Sequence, residues 1–410
     1  MGVRTNVTPN IIQPNKQPRP VESGWDIPLI LVVISLVVIG LLMVYSASWN
    51  YSLQAGGTAG YIANRQIQWA VVGCIGAVFA AFFDYRRIQR FVLPILVASL
   101  AMLVLVLIVN DNPLAPKRTF LNGSIQPSEL AKLAIIVYLS AWLYSKRDHL
   151  NDITFGLIPM MAILGVTAGL ILLEPDLSAA ATIVVLGGIL FFMANGELRQ
   201  IILVIVAVSL LGYIMVTVTD TGRERFLDYI NGLQDPQRAS YHVQRSMEAV
   251  VRGGVFGVGI GKGTTKFTGL PVPWTDSIFA VITEETGLIG AVIVVGLYIL
   301  LLWRGLTIAQ RAPDMFGRLL AGGLSVWIAL EAFVNIGVMV NLVPFAGNAL
   351  PLMSAGGSNM TMTLVAIGII MSVSRMSASP KNKKEGNQFH AVADLRRRNG
   401  GRDIPRRVRS

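Results

Sequence analysis

Apolar residues in this chain come in long blocks separated by short polar breaks. The blocks cover residues 27–46, 67–83, 91–109, 127–145, 155–173, 177–194, 199–218, 277–303, 317–342 and 350–374. Most approach the ~20 residues a helix needs to cross the hydrocarbon core of a bilayer. Lipid offers no partner to open backbone groups, so such runs predict helices. The pattern therefore predicts an all-α polytopic membrane protein with about ten transmembrane helices. The fifth and sixth runs are separated only by Glu174-Pro175-Asp176, which reads as a tight turn.

Residues 219–275 interrupt this rhythm. A structureless loop of that length is uncommon unless it has a function. Within it, Arg223–Ile230 and Tyr241–Val251 read as short amphipathic helices that could lie on the bilayer surface or on the bundle. Residues 1–24 are polar and Pro-rich, and residues 377–410 are basic and poor in apolar residues. Both read as disordered arms, which leaves 25–376 as one membrane domain. No cleavable signal is expected, because the first apolar run is long and follows a polar arm. No internal repeat is found.

Charge fixes the orientation. The 34 Lys and Arg residues concentrate in both arms and in short loops such as 84–90, 146–154 and 304–318. The positive-inside rule then places both termini in the cytoplasm and the 219–275 loop outside, between helices 7 and 8. Composition agrees: 53% of residues are hydrophobic and 14% charged, whereas about a quarter of a soluble domain is charged. Basic charge explained by topology does not call for nucleic acid. Cys74 is the one cysteine, so there is no disulfide framework, and the histidines lack metal-ligand spacing.

Four constellations could carry chemistry. In the first, Lys117 and Arg118 lie on an outer loop, against the orientation trend, which suggests an anionic phosphate. Just after them, in Gln126-Pro127-Ser128-Glu129-Leu130-Ala131-Lys132, Glu129 and Lys132 are spaced i, i+3 and can pair. The second is Glu174 with Asp176, two acids at an outer interface that could face basic groups or a divalent cation. The third runs from Val251 to Gly290. Its glycine-dense part, Gly253–Gly263, is no nucleotide loop, because Lys262 is followed by glycine. Its backbone N–H groups could still approach a pyrophosphate, with Lys262 and Lys266 as nearby cations. Asp276, after the Pro-broken hinge Leu270–Trp274, is either a general base or a helix cap with Thr275. Glu284 and Glu285 interrupt the apolar run that follows, and an acid at the mouth of a membrane helix points to function. The fourth is Asn335–Asn359, where Pro344, Gly347 and Pro351 break one helix before another starts.

These segments, in this order, resemble the SEDS family (shape, elongation, division and sporulation; FtsW, RodA and SpoVE). The matching pieces are MVYSAS at 43–48, QPSELAKLA at 126–134, EPD at 174–176, GGVFGVGIGKG at 253–263, LPVPWTDSIFAVITEETGLIG at 270–290 and NLVPFAGNALPLMSAGGS at 341–358. The resemblance covers about 27–375. It implies a ten-span glycosyltransferase of the bacterial cytoplasmic membrane that polymerises lipid II on the outer face, with a class B penicillin-binding protein as partner. It also implies that Asp276 is the essential aspartate and Arg118 the basic residue before the QPSEL motif. Lys117, Glu129, Lys132, Glu174, Asp176, Gln244, Ser246, Lys262 and Glu284 complete the expected substrate-binding set. A Mg or Mn ion is the one cofactor considered. The chain departs from the family pattern at Val272 and Trp274, which replace a Glu and a His. Two rival readings stay open: a lipid II flippase or other transporter, and a non-catalytic scaffold for the penicillin-binding protein.

Overall fold

A computed structural model shows a bundle of helices. It describes residues 24–377 apart from 57, 110–118, 120–124, 151, 198, 201, 207–211 and 213–219. Lys117, Arg118, most of the seventh apolar run, the N-arm through residue 23 and the tail from 378 lie outside the described residues. The expectations stated for them lie outside it too.

The helices are α1 (Ile27–Gly56), α2 (Tyr61–Phe82), α3 (Val92–Val109), α4 (Pro127–Ser145), α5 (Ile158–Leu173), α6 (Leu177–Met193), α7 (Asp220–Gln234), α8 (Tyr241–Gly253), α9 (Ile278–Arg311), α10 (Met315–Met339) and α11 (Gly357–Ser377). Helices α1 to α6 and α9 to α11 fall on nine of the predicted runs. Helices α7 and α8 are the amphipathic pair. Among the described residues, six helices are long and apolar enough to cross a membrane: α1, α2, the stretch Tyr85–Val109 that ends in α3, α9, α10 and α11. Helices α5 and α6 are apolar but shorter. The chain is thus a multi-pass membrane protein.

Burial sorts these helices into a centre and a rim. In α10 and α11, 72% and 61% of the apolar window is buried, against 22% in α2 and 28% in α9. Helices α10 and α11 therefore occupy the middle, and α2 and α9 turn most of their surface outward, as lipid-facing helices do. Trp327 and Phe316 of α10, Tyr298 of α9 and Phe191 of α6 are among the bulkiest side chains fully buried in the described residues. Helix α8 docks through Ser246 and His242. The Ser246 hydroxyl donates to the His242 carbonyl and meets the Met339 sulfur at the end of α10. The His242 ring lies 4.5 Å from the Phe345 ring. Burial, assisted by Arg225, holds that imidazole below its ordinary range.

Two boundaries differ from the hydrophobic pattern. Residues 350–356, read as the start of the last helix, are turns, and α11 begins at Gly357. Leu350, Leu352 and Met353 are apolar because they are buried in the bundle; hydropathy does not separate a buried turn from a helix. Helix α9 continues past residue 303 to Arg311 and stops where Pro313 disfavours helical geometry at Ala312.

Helix α9 is also broken, which its apolar run concealed. Gly287 sits at φ 70°, ψ −169°, splitting a short N-terminal half from the long span. A break frees backbone groups that lipid cannot satisfy. The glycine-dense loop satisfies them instead. Val258 and Gly259 N–H donate to the carbonyls of Glu284 and Glu285, while Leu288 and Ile289 N–H donate to those of Gly254 and Val255. The two backbones are too close for side chains. A Cβ on Gly257 would lie 2.3 Å from the Glu285 carbonyl oxygen, and one on Gly287 would lie 2.4 Å from the Gly257 nitrogen.

Gly287→Ala therefore meets both backbone strain and a clash. It should destabilise the protein by about 2 kcal/mol or more, read as a lowered Tm in detergent. Gly296→Ala, in the same helix with nothing within 4 Å of the added methyl, should be neutral or slightly stabilising. Equal Tm values for the two variants would contradict this role of the break.

Candidate active site

The short N-terminal half of α9 is held from the loop side by its own acids. The Glu284 carboxylate accepts from Thr264 N–H at 2.9 Å, Thr265 N–H at 3.1 Å and the Thr265 hydroxyl at 2.9 Å. Glu285 accepts from Gly261 N–H at 2.8 Å, from the Ser46 hydroxyl of α1 at 2.7 Å and from Lys266 at 2.5 Å. Both members of the Lys266–Glu285 pair are buried. Backbone N–H groups expected to approach a pyrophosphate thus serve the protein's own carboxylates. Lys266 is likewise committed, and Lys262 stays exposed on the loop.

Ahead of this half-helix lies residue 276. Helix α9 starts at Ile278, and Ser277 holds the cap position without a side-chain cap bond. Asp276 is therefore not the helix cap. The turn that carries it is clamped through three consecutive carbonyls. Trp274 accepts from Ala355 N–H at 2.8 Å, Thr275 from the Ser354 hydroxyl at 2.7 Å and Asp276 from the Asn335 amide at 2.8 Å. The Trp274 ring packs against Tyr51, with centroids 4.5 Å apart. The 350–356 turns are held in turn by α2, where Gln66 donates to the Ser354 carbonyl and accepts from Gly356 N–H. Trp69 lies so close to Gly357 that a Cβ there would meet its ring at 2.6 Å.

These constraints enclose a polar cavity of about 200 Å³. Asp276, Asn348 and Gly356–Asn359 line it from the turns; Gln126, Glu129 and Lys132 line it from α4 and its lead-in. Asp176 comes from the start of α6 and Glu331 from α10. Four candidates from three distant sequence segments thus meet: Glu129, Lys132, Asp176 and Asp276. Lys132 pairs with Glu129 at 2.8 Å and also with Glu331. Asp176 caps α6 through Ala179 N–H at 3.1 Å and accepts from the Gln126 side chain at 3.0 Å.

The remaining candidates lie elsewhere. Glu174 is fully buried at the end of α5 and does not line the cavity. Gln244 closes the turn before α8, donating to the Gln237 and Ala239 carbonyls. Ser246 is the α8 docking contact, Glu284 is the anchor of the loop, and Lys117 and Arg118 lie outside the described residues. Sequence reasoning did not single out Glu331, although a lone acid within the run 317–342 was a usable signal.

Among the described residues that line it, four carboxylates face one ammonium, so this part of the lining is net acidic. Among the described residues, no three His, Cys, Asp or Glu side chains converge as a metal site would. The lining suits hydrogen-bond donors such as sugar hydroxyls. It offers an acceptor, Asp276, on a clamped backbone.

A family model described as cell cycle protein (FtsW, RodA, SpoVE) matches residues 27–379. A probable peptidoglycan glycosyltransferase FtsW of Geobacter metallireducens is 35% identical over 361 residues, covering 87% of this chain and 96% of that protein. Stage V sporulation protein E of Bacillus subtilis is 34% identical, covering 87% and 98%. A chain from a peptidoglycan synthase complex that coordinates polymerization and crosslinking superposes with a TM-score of 0.69 at 26% identity, covering 86% of this chain and 98% of that one. The rod shape determining protein RodA of Thermus thermophilus gives 0.60 at 25% identity, covering 86% and 97%.

The triad of Glu129, Lys132 and Glu331 sets a stability test. Lys132→Met leaves two buried acids facing each other and should cost about 3–5 kcal/mol. Glu331→Gln keeps one acid for the lysine and should cost much less. Thermal unfolding in detergent compares them. A Lys132→Met protein as stable as Glu331→Gln would contradict the shared ion pair.

Proposed function

The chain belongs to the SEDS family of FtsW, RodA and SpoVE cell cycle proteins, and on that premise we propose that it is a peptidoglycan glycosyltransferase. It polymerises lipid II into glycan strands at the outer face of the bacterial cytoplasmic membrane. The observation that carries this reading is the cavity, which sets Asp276 beside Glu129, Lys132 and Asp176 on a rigid frame. The neighbour from a complex that coordinates polymerization and crosslinking supports a crosslinking partner, for which we propose a class B penicillin-binding protein. Membrane lipid surrounds the rim helices.

The reaction is glycosyl transfer with inversion. The acceptor sugar's 4-hydroxyl gives its proton to Asp276 while its oxygen attacks the anomeric carbon of the donor chain. The bond from that carbon to the lipid pyrophosphate breaks, and the electron pair leaves with the pyrophosphate. The net acidic lining favours the sugar and disfavours the leaving anion. We therefore assign the pyrophosphate to the rim, where Lys117 and Arg118 in the segment leading to Gln126 would hold it, with exposed Lys262 a second cation. Any divalent ion would arrive with the pyrophosphate as its counter-ion. The ten-span arrangement has both termini cytoplasmic and places α7 and α8 in an outer loop between the seventh and eighth membrane spans.

Asparagine at 276 keeps the shape and loses the proton acceptor. Asp276→Asn should fold and bind its partner normally while glycan-strand formation from purified lipid II falls about 10²-fold or more. Asp276→Glu should be intermediate. A stable Asp276→Asn protein polymerising at the wild-type rate would remove the base and favour transport or scaffolding.

Topology has its own test in a Cys74→Ser background. A cysteine at Ser145, exposed at the end of α4, should be shielded from an impermeant thiol reagent in intact cells. A cysteine at Gln234, exposed at the end of α7, should react. Labelling at 145 from outside would overturn the orientation.

A further inference from the structure

Asn335 is fully buried in α10, near the end of that helix at Met339, and its side chain does not line the cavity. Its amide nitrogen donates to the Asp276 carbonyl at 2.8 Å and to the Asn348 carbonyl at 2.6 Å. Both partners are carbonyl oxygens, so the nitrogen rather than the oxygen must face them. Both carbonyls belong to non-helical backbone within the bundle, where a missing partner is costly. The amide thus spans the gap between two segments that each bear a wall of the cavity.

The gap is narrow. A Cβ built on Gly347, next to Asn348, would lie 3.1 Å from the Asp276 carboxylate oxygen Oδ2. The Asn348 segment and Asp276 therefore define the room in which an acceptor hydroxyl can meet the carboxylate. We propose that Asn335 is a positioning residue for the transfer reaction: by bridging the Asp276 and Asn348 carbonyls, it sets the distance between the proton-accepting carboxylate and the facing wall. It touches neither substrate nor reacting atoms. It acts through Asp276, and the inference rests on the reading of Asp276 as the base.

The reach of the effect follows from how proton transfer depends on placement. A shift of about 1 Å in a reacting group can cost 10²-fold in rate. Substrate binding draws on the whole lining, including Gln126, Glu129 and Asn359, and should change little. The signature of a positioning role is consequently a fall in kcat with KM preserved. A packing role alone would lower the amount of folded protein and leave turnover per folded molecule unchanged.

Asn335→Asp is the informative variant because it is isosteric. Ionised, it has no proton to donate to either carbonyl; protonated, it recovers one donor. Lipid II polymerisation would be followed across pH for wild type, Asn335→Asp and Asn335→Ser, with activity normalised to the monodisperse folded fraction. We expect kcat for Asn335→Asp to fall about 10-fold to 10²-fold at neutral pH, with KM within about 2-fold. The ratio of variant to wild-type kcat should rise as pH is lowered. Asn335→Ser keeps one hydroxyl donor in a smaller space and should show the same split if Asn335→Asp does not fold. Wild-type kcat in either folded variant overturns the proposal, as does a fall confined to KM. An inactive Asp276→Asn with normal Asn335 variants removes only this inference, whereas an active Asp276→Asn removes the base reading first.

Discussion

A membrane helix that breaks at Gly287 must hand its freed backbone groups to something other than lipid, and the rest of the site depends on how that is done. The glycine-dense loop supplies both donors and acceptors, closing four backbone bonds across the break. Each would cost roughly 1–3 kcal/mol if left open. Glu284 and Glu285, on the same short half-helix, bind the loop's N–H groups, and Lys266 neutralises Glu285 in the interior. Ser46 extends the same knot to α1. The half-helix is thereby fixed to two other parts of the bundle, and Asp276 stands just ahead of its first turn.

The other face of that segment is fixed by α10 and by the turns between α10 and α11. Carbonyls 274, 275 and 276 each accept a bond from this region, from Ala355, Ser354 and Asn335. A side chain on irregular backbone would ordinarily be loose; at Asp276 the backbone is specified by bonds from two elements. The charge distribution then divides the work. The cavity holds four carboxylates and one lysine, an environment for hydroxyl and amide donors. On the proposed reaction an anionic leaving group needs cations outside this lining, and Lys117 and Arg118 precede Gln126 in the sequence.

Helix identity was legible because lipid enforces it: an apolar block of ~20 residues has few other options. Residues that meet at the cavity were also partly legible, because acids such as Glu129, Asp176 and Asp276 stand out at the ends of apolar runs. Four things were not. The break at Gly287 was not separable in hydropathy from the interruption already made by Glu284 and Glu285, since Leu288 and Ile289 resume the run. Buried turns such as Leu350–Met353 look like helix because burial, not helicity, makes them apolar. The glycine loop looked like an anion cradle, and it is one, but its anions are Glu284 and Glu285, some 20 residues on in the same chain. Spacing cannot distinguish an internal carboxylate from a ligand phosphate. Glu331 was hidden by its surroundings: one acid in a central helix, meaningful only once Lys132 is seen beside it.

The central claim is that a carboxylate at position 276 accepts the acceptor's proton. Chemical rescue tests it most directly. Asp276→Ala removes the carboxylate and opens space for a small one, so lipid II polymerisation by the folded variant would be measured with and without added formate. The account predicts activity about 10² or more below wild type without formate and a rate that rises with formate concentration, while wild type is unaffected. Wild-type polymerisation by Asp276→Ala in the absence of formate would contradict it.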